Sequence, residues 1–236
     1  MENPVRALAC TLVLALAVPA LAASAPKRHT VGLGAARKVA YSQAGDPAGF
    51  TPGEDSLAIR ALLVDGAVKE WTTGDAHDVT DRSFVVRRAL RLNDSLPGDK
   101  LGQWVWQRGP WLLVDRTNGR ITALRLPDYD PGVSQVVWFR DYGAYCGLTA
   151  SGKSLYAVVA QVAARRPVLA KKLSVFDPAN HPQPVCTAPV WQRDPMGIIF
   201  HPAGKGPVVF NLVPGSAVLV EDSGTETGDS AAPVSR

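Results

Sequence analysis

The sequence predicts an all-β protein built from antiparallel β-meander units, and three observations support this fold class. The 21 glycines and 19 prolines are spread along the chain and divide it into segments too short for long helices. These segments are rich in aliphatic and aromatic residues, which favour strands, and none combines a clear helical period with helix caps. Two junctions between segments are Asp-Gly and Asn-Gly, the residue pairs typical of tight β-hairpin turns.

Residues 1–25 have the pattern of a secretory signal peptide. Arg6 is the one basic residue near the start, and the chain then runs to Ala25 without a charged residue. Small residues suited to cleavage predict a cut after Ala22 or after Ala25. A membrane anchor is the alternative for such a run, but threonine and proline interrupt it, and no second apolar run is long enough to span a bilayer. We therefore expect a periplasmic or extracellular (secreted) protein with no membrane span after cleavage.

Residues 26–222 are expected to form a single β-rich domain, followed by a disordered tail over residues 223–236. The tail is rich in Gly, Ser, Thr and Ala and has almost no large apolar side chain. The formal net charge is +4, and the basic residues lie in scattered pairs such as Arg87-Arg88, interleaved with Asp and Glu. This balance is typical of a solvated surface, and no nucleic-acid-binding motif accompanies it. We therefore predict no nucleic-acid partner.

The strands are predicted from short apolar runs between turn residues. Asp65-Gly66 and Asn118-Gly119 each lie between two such runs and predict a hairpin. In chain order, the predicted strands are 62–64, 68–71, 84–92, 104–106, 111–114, 121–126, 135–139, 142–147, 155–162, 168–176, 196–200, 208–213 and 217–220.

Three segments share the pattern Val-Trp-x-Arg. They begin at Val105, Val137 and Val190, and strand-like runs around a glycine-containing turn follow each of them. Such a repeat resembles a β-propeller, whose best-known blade type has about 40–45 residues. The spacing of the three segments is unequal, which argues against a regular ring. A propeller-like arrangement, a β-sandwich and an irregular antiparallel barrel therefore stay open.

Two cysteines remain once Cys10 leaves with the signal peptide. Cys146 and Cys186 would then lie in an oxidising compartment, so we predict one disulfide between them, with two free thiols as the alternative. Neither cysteine belongs to a Cys-x-x-Cys pair, which argues against a metal site. We predict no metal and no other cofactor.

The segment Gly147–Ser154 satisfies the phosphate-binding pattern G-x-x-x-x-G-K-[ST]. In nucleotide-binding proteins this loop joins a strand to a helix within a parallel sheet. Here a β-leaning segment follows the motif, and the remaining chain is too short and too rich in proline for further βα units. We therefore interpret Ser151-Gly152-Lys153 as a hairpin turn and do not predict nucleotide binding.

The segment from Asp75 to Arg82 concentrates three carboxylates, an imidazole and a guanidinium between two predicted strands. His77, Asp78 and Asp81 are the candidate catalytic residues, because a histidine oriented by an aspartate can act as a general base. Turns and solvated loops use the same residue types, which is the alternative interpretation.

The six tryptophans all lie in strand-like segments. Trp104 and Trp106 are two residues apart, so they share one face of a strand and could stack against a sugar or a peptide. Core packing is the alternative, because a β-meander needs bulky cross-strand pairs. These two residues are the candidate ligand-binding residues.

The sequence favours an exported, non-catalytic binding or structural module over an enzyme. Its ligand is not identified, and a glycan or a protein is the expected kind of partner. The alternative is a secreted hydrolase that acts on a glycan or a peptide and uses the Asp75–Asp81 segment in its site.

Overall fold

A computed structural model describes residues 29–43, 46, 55–98, 100–175, 186–203, 206–212 and 219–221. The predicted signal peptide at 1–25 and the predicted tail at 223–236 lie outside these residues. The described residues form strands, turns and irregular segments without a helix, which confirms the all-β class. In this part of the chain, no helix is long and apolar enough to cross a membrane.

The strands are short and follow one another closely. In chain order they are β1 (Val31–Ala40), β2 (Ser56–Val64), β3 (Ala67–Thr72), β4 (His77–Thr80), β5 (Ser83–Asn93), β6 (Trp104–Asp115), β7 (Ile121–Ala123), β8 (Val137–Phe139), β9 (Tyr142–Leu148), β10 (Ser154–Gln161), β11 (Leu169–Val175), β12 (Cys186–Arg193), β13 (Met196–Pro202), β14 (Val208–Leu212) and β15 (Leu219–Glu221).

The strands form three antiparallel sheets. The large sheet has the order β1-β2-β3-β5-β6-β7, and β4 also pairs with β5. The second sheet has the order β11-β10-β9-β8, and the third has the order β12-β13-β14-β15. Neighbouring strands in both smaller sheets are consecutive in the chain, which confirms the predicted β-meander units.

The two hairpins predicted from Asp-Gly and Asn-Gly are confirmed. Asp65 and Gly66 join β2 to β3 with φ of 53° and 76°. Both central residues of this turn have positive φ, as a type I′ turn requires. Gly119, between β6 and β7, has φ of 67°. Its conformation is one that glycine adopts without a steric cost.

The prediction of two separate strands at 104–106 and 111–114 is wrong, because β6 is continuous. Its register against β5 shifts between Arg87 and Ala89, so the chain crosses Gly109 and Pro110 as a bulge instead of ending. A Cβ at Gly109 would lie 2.9 Å from Leu90 Cγ, which explains the absence of a side chain there. The predicted strands also omit β1, β4 and β12.

The second and third sheets pack against each other around the largest apolar cluster. Cys146 on β9 and Cys186 on β12 lie in this cluster, with Cα atoms 6.3 Å apart, and form the predicted disulfide. Phe200 and Phe210 of the third sheet meet edge to face within it, with ring centroids 5.8 Å apart. The disulfide thus connects two sheets that already share a core.

Two of the three Val-Trp-x-Arg segments occupy equivalent positions. Val137-Trp138 lies on the first strand of the second sheet, and Val190-Trp191 lies on the first strand of the third sheet. The Trp191 indole Nε1 donates to the carbonyl oxygen of Val137 at 3.0 Å and ties these strands together. Val105-Trp106 differs, because it lies on β6 inside the large sheet.

The chain between β7 and β8 covers the other face of the second sheet. Leu126, Tyr129 and Val136 pack there against the buried Tyr145 and Val158. The Tyr145 hydroxyl donates to the carbonyl oxygen of Pro127 at 2.6 Å. Burial raises the pKa of Tyr145 above its ordinary value, and the charge of Asp128 adds to the rise. The second sheet is therefore buried on both faces, as the apolar runs of β9 and β10 require.

Candidate functional site

A cavity of about 460 Å³ lies where the three sheets meet. Its walls include Arg87 and Trp111 from the large sheet, Trp138 from the second sheet and Ala188 from the third. The volume falls within the range of small-molecule sites, which are typically about 300–1,000 Å³. This meeting point brings together residues that are far apart in the sequence.

Three aromatic rings form one wall of the cavity. The ring of His77 stacks on that of Trp138, with centroids 6.0 Å apart and planes inclined by 21°. Trp111 meets Trp138 edge to face, with centroids 5.2 Å apart. Gly143 lies opposite Trp138 in the register of β8 and β9, and a Cβ there would come within 2.8 Å of the indole. The missing side chain at Gly143 therefore makes room for Trp138.

A hydrogen bond fixes the orientation of His77. Its Nε2 lies 2.7 Å from the carbonyl oxygen of Arg140. A carbonyl oxygen only accepts, so Nε2 carries a hydrogen, and in the neutral ring Nδ1 is an acceptor. Arg140 has φ of 52°, a left-handed conformation that a side chain rarely adopts. The turn between β8 and β9 thus holds a strained residue whose carbonyl group positions His77.

Arg87 supplies a buried guanidinium to the cavity. It lies directly opposite Trp111 in the register of β5 and β6, so both side chains share one face of the large sheet. Its Nε donates to the carbonyl oxygen of Gly109 at 3.1 Å, and its Nη2 donates to Asp46 at 3.1 Å. No acceptor among the described residues pairs with Nη1. The bulge at Gly109 thus presents the backbone oxygen that orients Arg87.

Asp46 also binds a second guanidinium of the cavity wall. Its Oδ2 accepts from Arg108 Nη1 at 2.9 Å, while Oδ1 accepts from Arg87. The side chains of Asp46, Arg87 and Arg108 are 5%, 9% and 11% exposed. Arg108 also hydrogen-bonds the hydroxyl of Tyr41. Asp46 therefore accepts from both guanidiniums of the cavity wall.

Three buried polar atoms next to the cavity have no hydrogen-bond partner in the described part of the chain. They are the indole Nε1 atoms of Trp111 and Trp138 and the hydroxyl of Tyr129. Burial raises the pKa of Tyr129, while the charge of Arg87 opposes the rise. The nearby Trp111 indole also lowers the pKa of Tyr129, although the Trp111 Nε1 and the Tyr129 hydroxyl lack the geometry of a hydrogen bond. All three atoms are shielded from solvent.

The structure brings only one of the three candidate catalytic residues to the cavity. His77 is a lining residue and Asp75 lies beside it, whereas Asp78 and Asp81 are not part of the lining. Asp78 pairs instead with Arg116 at 2.6 Å, and its side chain is 72% exposed. Asp81 is 86% exposed. The expected loop is partly strand β4, and its alternation directs neighbouring side chains to opposite faces.

Trp104 and Trp106 share a strand face as predicted, but they lie outside the cavity lining. Trp106 is only 8% exposed and packs edge to face on Trp71, with centroids 5.9 Å apart. Trp104 is 50% exposed, and Arg91 covers its ring at 4.6 Å. Of the two candidate ligand-binding residues, Trp104 has an exposed ring, whereas Trp106 is largely buried and lines a separate cavity of about 490 Å³ together with Trp71.

The phosphate-binding pattern at 147–154 forms a hairpin, as the sequence interpretation predicts. Leu148 pairs with Leu155 across the antiparallel strands β9 and β10. The turn closes with the Gly152 amide donating to the carbonyl oxygen of Thr149 at 2.7 Å, and Gly152 has φ of 70°. The motif lacks the strand–loop–helix unit that phosphate binding needs.

Sequence reasoning misses most of the cavity. Trp138 and Arg108 do belong to Val-Trp-x-Arg segments, so the repeat marks them without assigning a role. The sequence pattern places Arg87 in a solvated basic pair, but it is buried. One feature of the sequence indicates that Arg87 is buried: it interrupts the apolar run of a predicted strand, and a buried charge needs a partner. That partner, Asp46, lies 41 residues earlier, and no local pattern connects them.

No group of three or more His, Cys, Asp or Glu side chains in the described part of the chain is arranged to hold a metal ion. Comparison with known proteins finds no matching protein-family model, no matching curated protein and no matching solved structure.

Proposed function

We propose that this protein is an exported, non-catalytic binding module that holds a small ligand in the cavity between its three sheets. The composition of the cavity wall supports this proposal, because the wall combines the stacked rings of His77 and Trp138 with the buried guanidinium of Arg87. Binding sites typically pair an apolar or aromatic lining with a few convergent polar groups. The cation of Arg87 is held in place by Gly109 and Asp46, so it is preorganised for a ligand.

Export is the second part of the proposal. The apolar N-terminal stretch with its small-residue cleavage signals supports it. The disulfide between Cys146 and Cys186 is compatible with a periplasmic or extracellular location, where such bonds persist. For the architecture we favour a propeller-like arrangement over a sandwich, because the two four-stranded meanders begin with matching Val-Trp segments and pack on each other.

A secreted hydrolase acting on a glycan or a peptide is the second candidate function. One observation favours it: Asp75 and His77 both line the cavity, and the hydrogen bond of His77 Nε2 to Arg140 leaves Nδ1 as the acceptor of the neutral ring. Against it, Asp75 is the single carboxylate among the lining residues, and most glycosidases use two carboxylates that flank the substrate. Asp81, from the same segment, is exposed to solvent and is not a lining residue. Binding without catalysis is therefore the better-supported proposal.

The test is a compound screen read by NMR on the full mature chain. A soluble library of neutral, acidic and basic ring compounds is added to protein labelled with ¹⁵N, and the six indole N–H signals are followed. We expect a ligand to shift the signals of Trp111 and Trp138 and to leave that of Trp104 unchanged. His77→Ala should weaken binding by about tenfold, because it removes a stacked ring worth about 1 kcal/mol and a polar contact.

Asp81→Ala is the matched control, because Asp81 comes from the same segment and lies outside the cavity lining. It should bind as the wild type does. Shifts confined to Trp104, or no shift with any compound, would overturn the cavity as the ligand site. Release of reducing ends from soluble polysaccharides or of amino groups from casein peptides, abolished by His77→Ala in a folded protein, would favour the hydrolase instead.

A further inference from the structure

We propose that a second site, in a cleft between β3 and β5 of the large sheet, binds an extended acidic segment of a partner protein. The cleft and the cavity between the three sheets share no lining residue, so the two sites are independent of each other. Three features of the cleft support the second site: diverging strands, an excess of arginine over acidic side chains, and an aromatic wall.

The cleft forms because β3 and β5 diverge. The two strands are neighbours in the large sheet but pair only at Thr72 and Arg88, whereas β5 pairs with β6 along its whole length. Beyond that pair they leave a cavity of about 490 Å³, lined by Glu70 and Trp71 from β3 and by residues 88–91 from β5. No ladder partner among the described residues covers the strand edges that face this cleft. An extended peptide can pair with such edges through its own backbone.

The charged side chains of the cleft favour an acidic partner. Three arginines line it, Arg37, Arg88 and Arg91, together with one carboxylate, that of Glu70. Arg88 and Glu70 pair with each other at 2.9 Å. The side chains of Arg37 and Arg91 make no ion pair and no hydrogen bond within the described part of the chain. The lining therefore presents two cations that no carboxylate of the described chain pairs, and these attract an anionic segment.

Indole rings hold both of these arginines without using their hydrogen-bond donors. The Cζ atom of Arg37 lies 4.2 Å from the ring centroid of Trp71 and 5.7 Å from that of Trp106. The Cζ atom of Arg91 lies 4.6 Å from the ring centroid of Trp104. Such cation–π contacts restrict the guanidinium, which limits the entropy lost on binding. The N–H donors stay available for the planar, two-oxygen group of a carboxylate.

The aromatic wall suits an apolar side chain between two acidic ones. Trp71 and Trp106 meet edge to face in the cleft, with centroids 5.9 Å apart, and Ala89 adds only a methyl group to the lining. The two unpaired arginines are held on different rings, which suits two separate carboxylates better than one compact phosphate. A polyanion without an apolar part uses the charges alone, whereas an acidic peptide also uses the aromatic wall and the free strand edges.

The experiment compares acidic peptides with their amide counterparts. A set of hexapeptides in which Glu or Asp alternates with an apolar residue is titrated into the mature protein by calorimetry, beside the same peptides with Gln or Asn at the acidic positions. We expect at least one acidic peptide to bind about ten times more tightly than its amide form, a difference of about 1.4 kcal/mol. Added salt should reduce this difference, because the two arginines are exposed. The comparison uses only the wild-type protein, so it does not depend on a variant that folds.

Substitutions in the cleft test which residues bind the acidic peptide. Arg37→Met should lower the affinity for it about threefold, the size of one exposed ion pair, and Arg37→Met combined with Arg91→Met should abolish the preference for the acidic form. Lys38→Met is the matched control and should keep the preference, because Lys38 is the next residue on β1, is exposed and lies outside the cleft lining. Equal losses from Arg37→Met and Lys38→Met would mean that the peptide follows net charge, and would overturn the site.

The indole N–H signals of ¹⁵N-labelled protein locate the bound peptide. It should shift the signals of Trp71 and Trp106 and leave those of Trp111 and Trp138 unchanged, so failure of this site and failure of the cavity site give different results. Shifts confined to Trp111 and Trp138 would overturn the cleft as the peptide site. Equal binding of acidic and amide peptides, or binding of neither, would overturn the inference and leave the cavity site to its own screen. Tighter binding of inorganic polyphosphate than of every peptide would replace the acidic segment with a polyanion held by charge alone.

Discussion

His77 of the large sheet stacks on Trp138 of the second sheet, with ring centroids 6.0 Å apart. The two residues come from strands β4 and β8, and the Arg140 carbonyl in the turn after β8 holds the imidazole through Nε2. The contact is therefore part of the cavity wall and also part of the packing between the large sheet and the second sheet. Residues that support Trp138 should affect both stability and ligand binding.

Gly143→Ala should destabilise the protein by about 1–3 kcal/mol, the usual cost of forcing extra atoms into a packed site. The new Cβ would lie 2.8 Å from Trp138 Cζ3, and the flat ring cannot bend away as a flexible side chain would. Urea unfolding followed by tryptophan fluorescence measures the loss. Gly206→Ala is the control, because it has no atom within 4 Å of the new Cβ and should change stability by less than about 0.5 kcal/mol. Equal effects of both substitutions would show that Trp138 does not need the space.

Asp46→Ala should cost about 3–5 kcal/mol, because it leaves the buried guanidinium of Arg87 without its carboxylate and takes one from Arg108. Glu70→Ala is the matched control. Glu70 also pairs with an arginine, Arg88, but their side chains are 25% and 38% exposed, so its loss should cost about 0–1 kcal/mol. Both free energies come from urea unfolding at one pH and salt concentration. A small effect of Asp46→Ala would mean that the two arginines are solvated rather than buried.

The strands can be predicted from the sequence because their signals are local. Gly66 and Gly119 mark their hairpins, and the apolar runs mark most of the strands that these turns connect. The break predicted at Gly109-Pro110 is wrong for a non-local reason. Gly109 and Pro110 together lie opposite Arg88 and form a bulge within β6. Only the pairing of β6 with β5 reveals this bulge.

The cavity cannot be predicted in the same way, because its groups come from three sheets. The chemistry of His77 identifies it as a candidate, but nothing in its own segment indicates that Trp138 lies against it. Arg87 lies opposite Trp111 only because of the β5–β6 register, and its partner Asp46 belongs to a different part of the chain. Such contacts depend on tertiary packing, which composition and periodicity do not encode.

Gly152→Ala and Lys153→Ala separate the hairpin turn from a phosphate-binding loop. Gly152 has φ of 70°, and a Cβ added there would meet no atom within 4 Å, so alanine should cost about 1 kcal/mol through backbone strain alone. Lys153 is exposed, and its removal should change stability by less than about 0.5 kcal/mol. Calorimetric titration with ATP and Mg²⁺ should give no heat of binding to the wild type. ATP binding that Lys153→Ala removes would reinstate the nucleotide site.

Cys146→Ala combined with Cys186→Ala should lower the free energy of unfolding by about 4 kcal/mol. The disulfide closes a segment of 40 residues, and the chain-entropy model assigns a stabilisation of this size to such a loop. The double variant should still fold, because Phe200, Phe210 and the other members of the cluster between the second and third sheets keep their apolar contacts. A reductant should lower the stability of the wild type toward that of the double variant and should leave the variant unchanged. If the wild type does not respond to reductant while its thiols become titratable, the bond contributes little, and the shared core alone joins the two sheets.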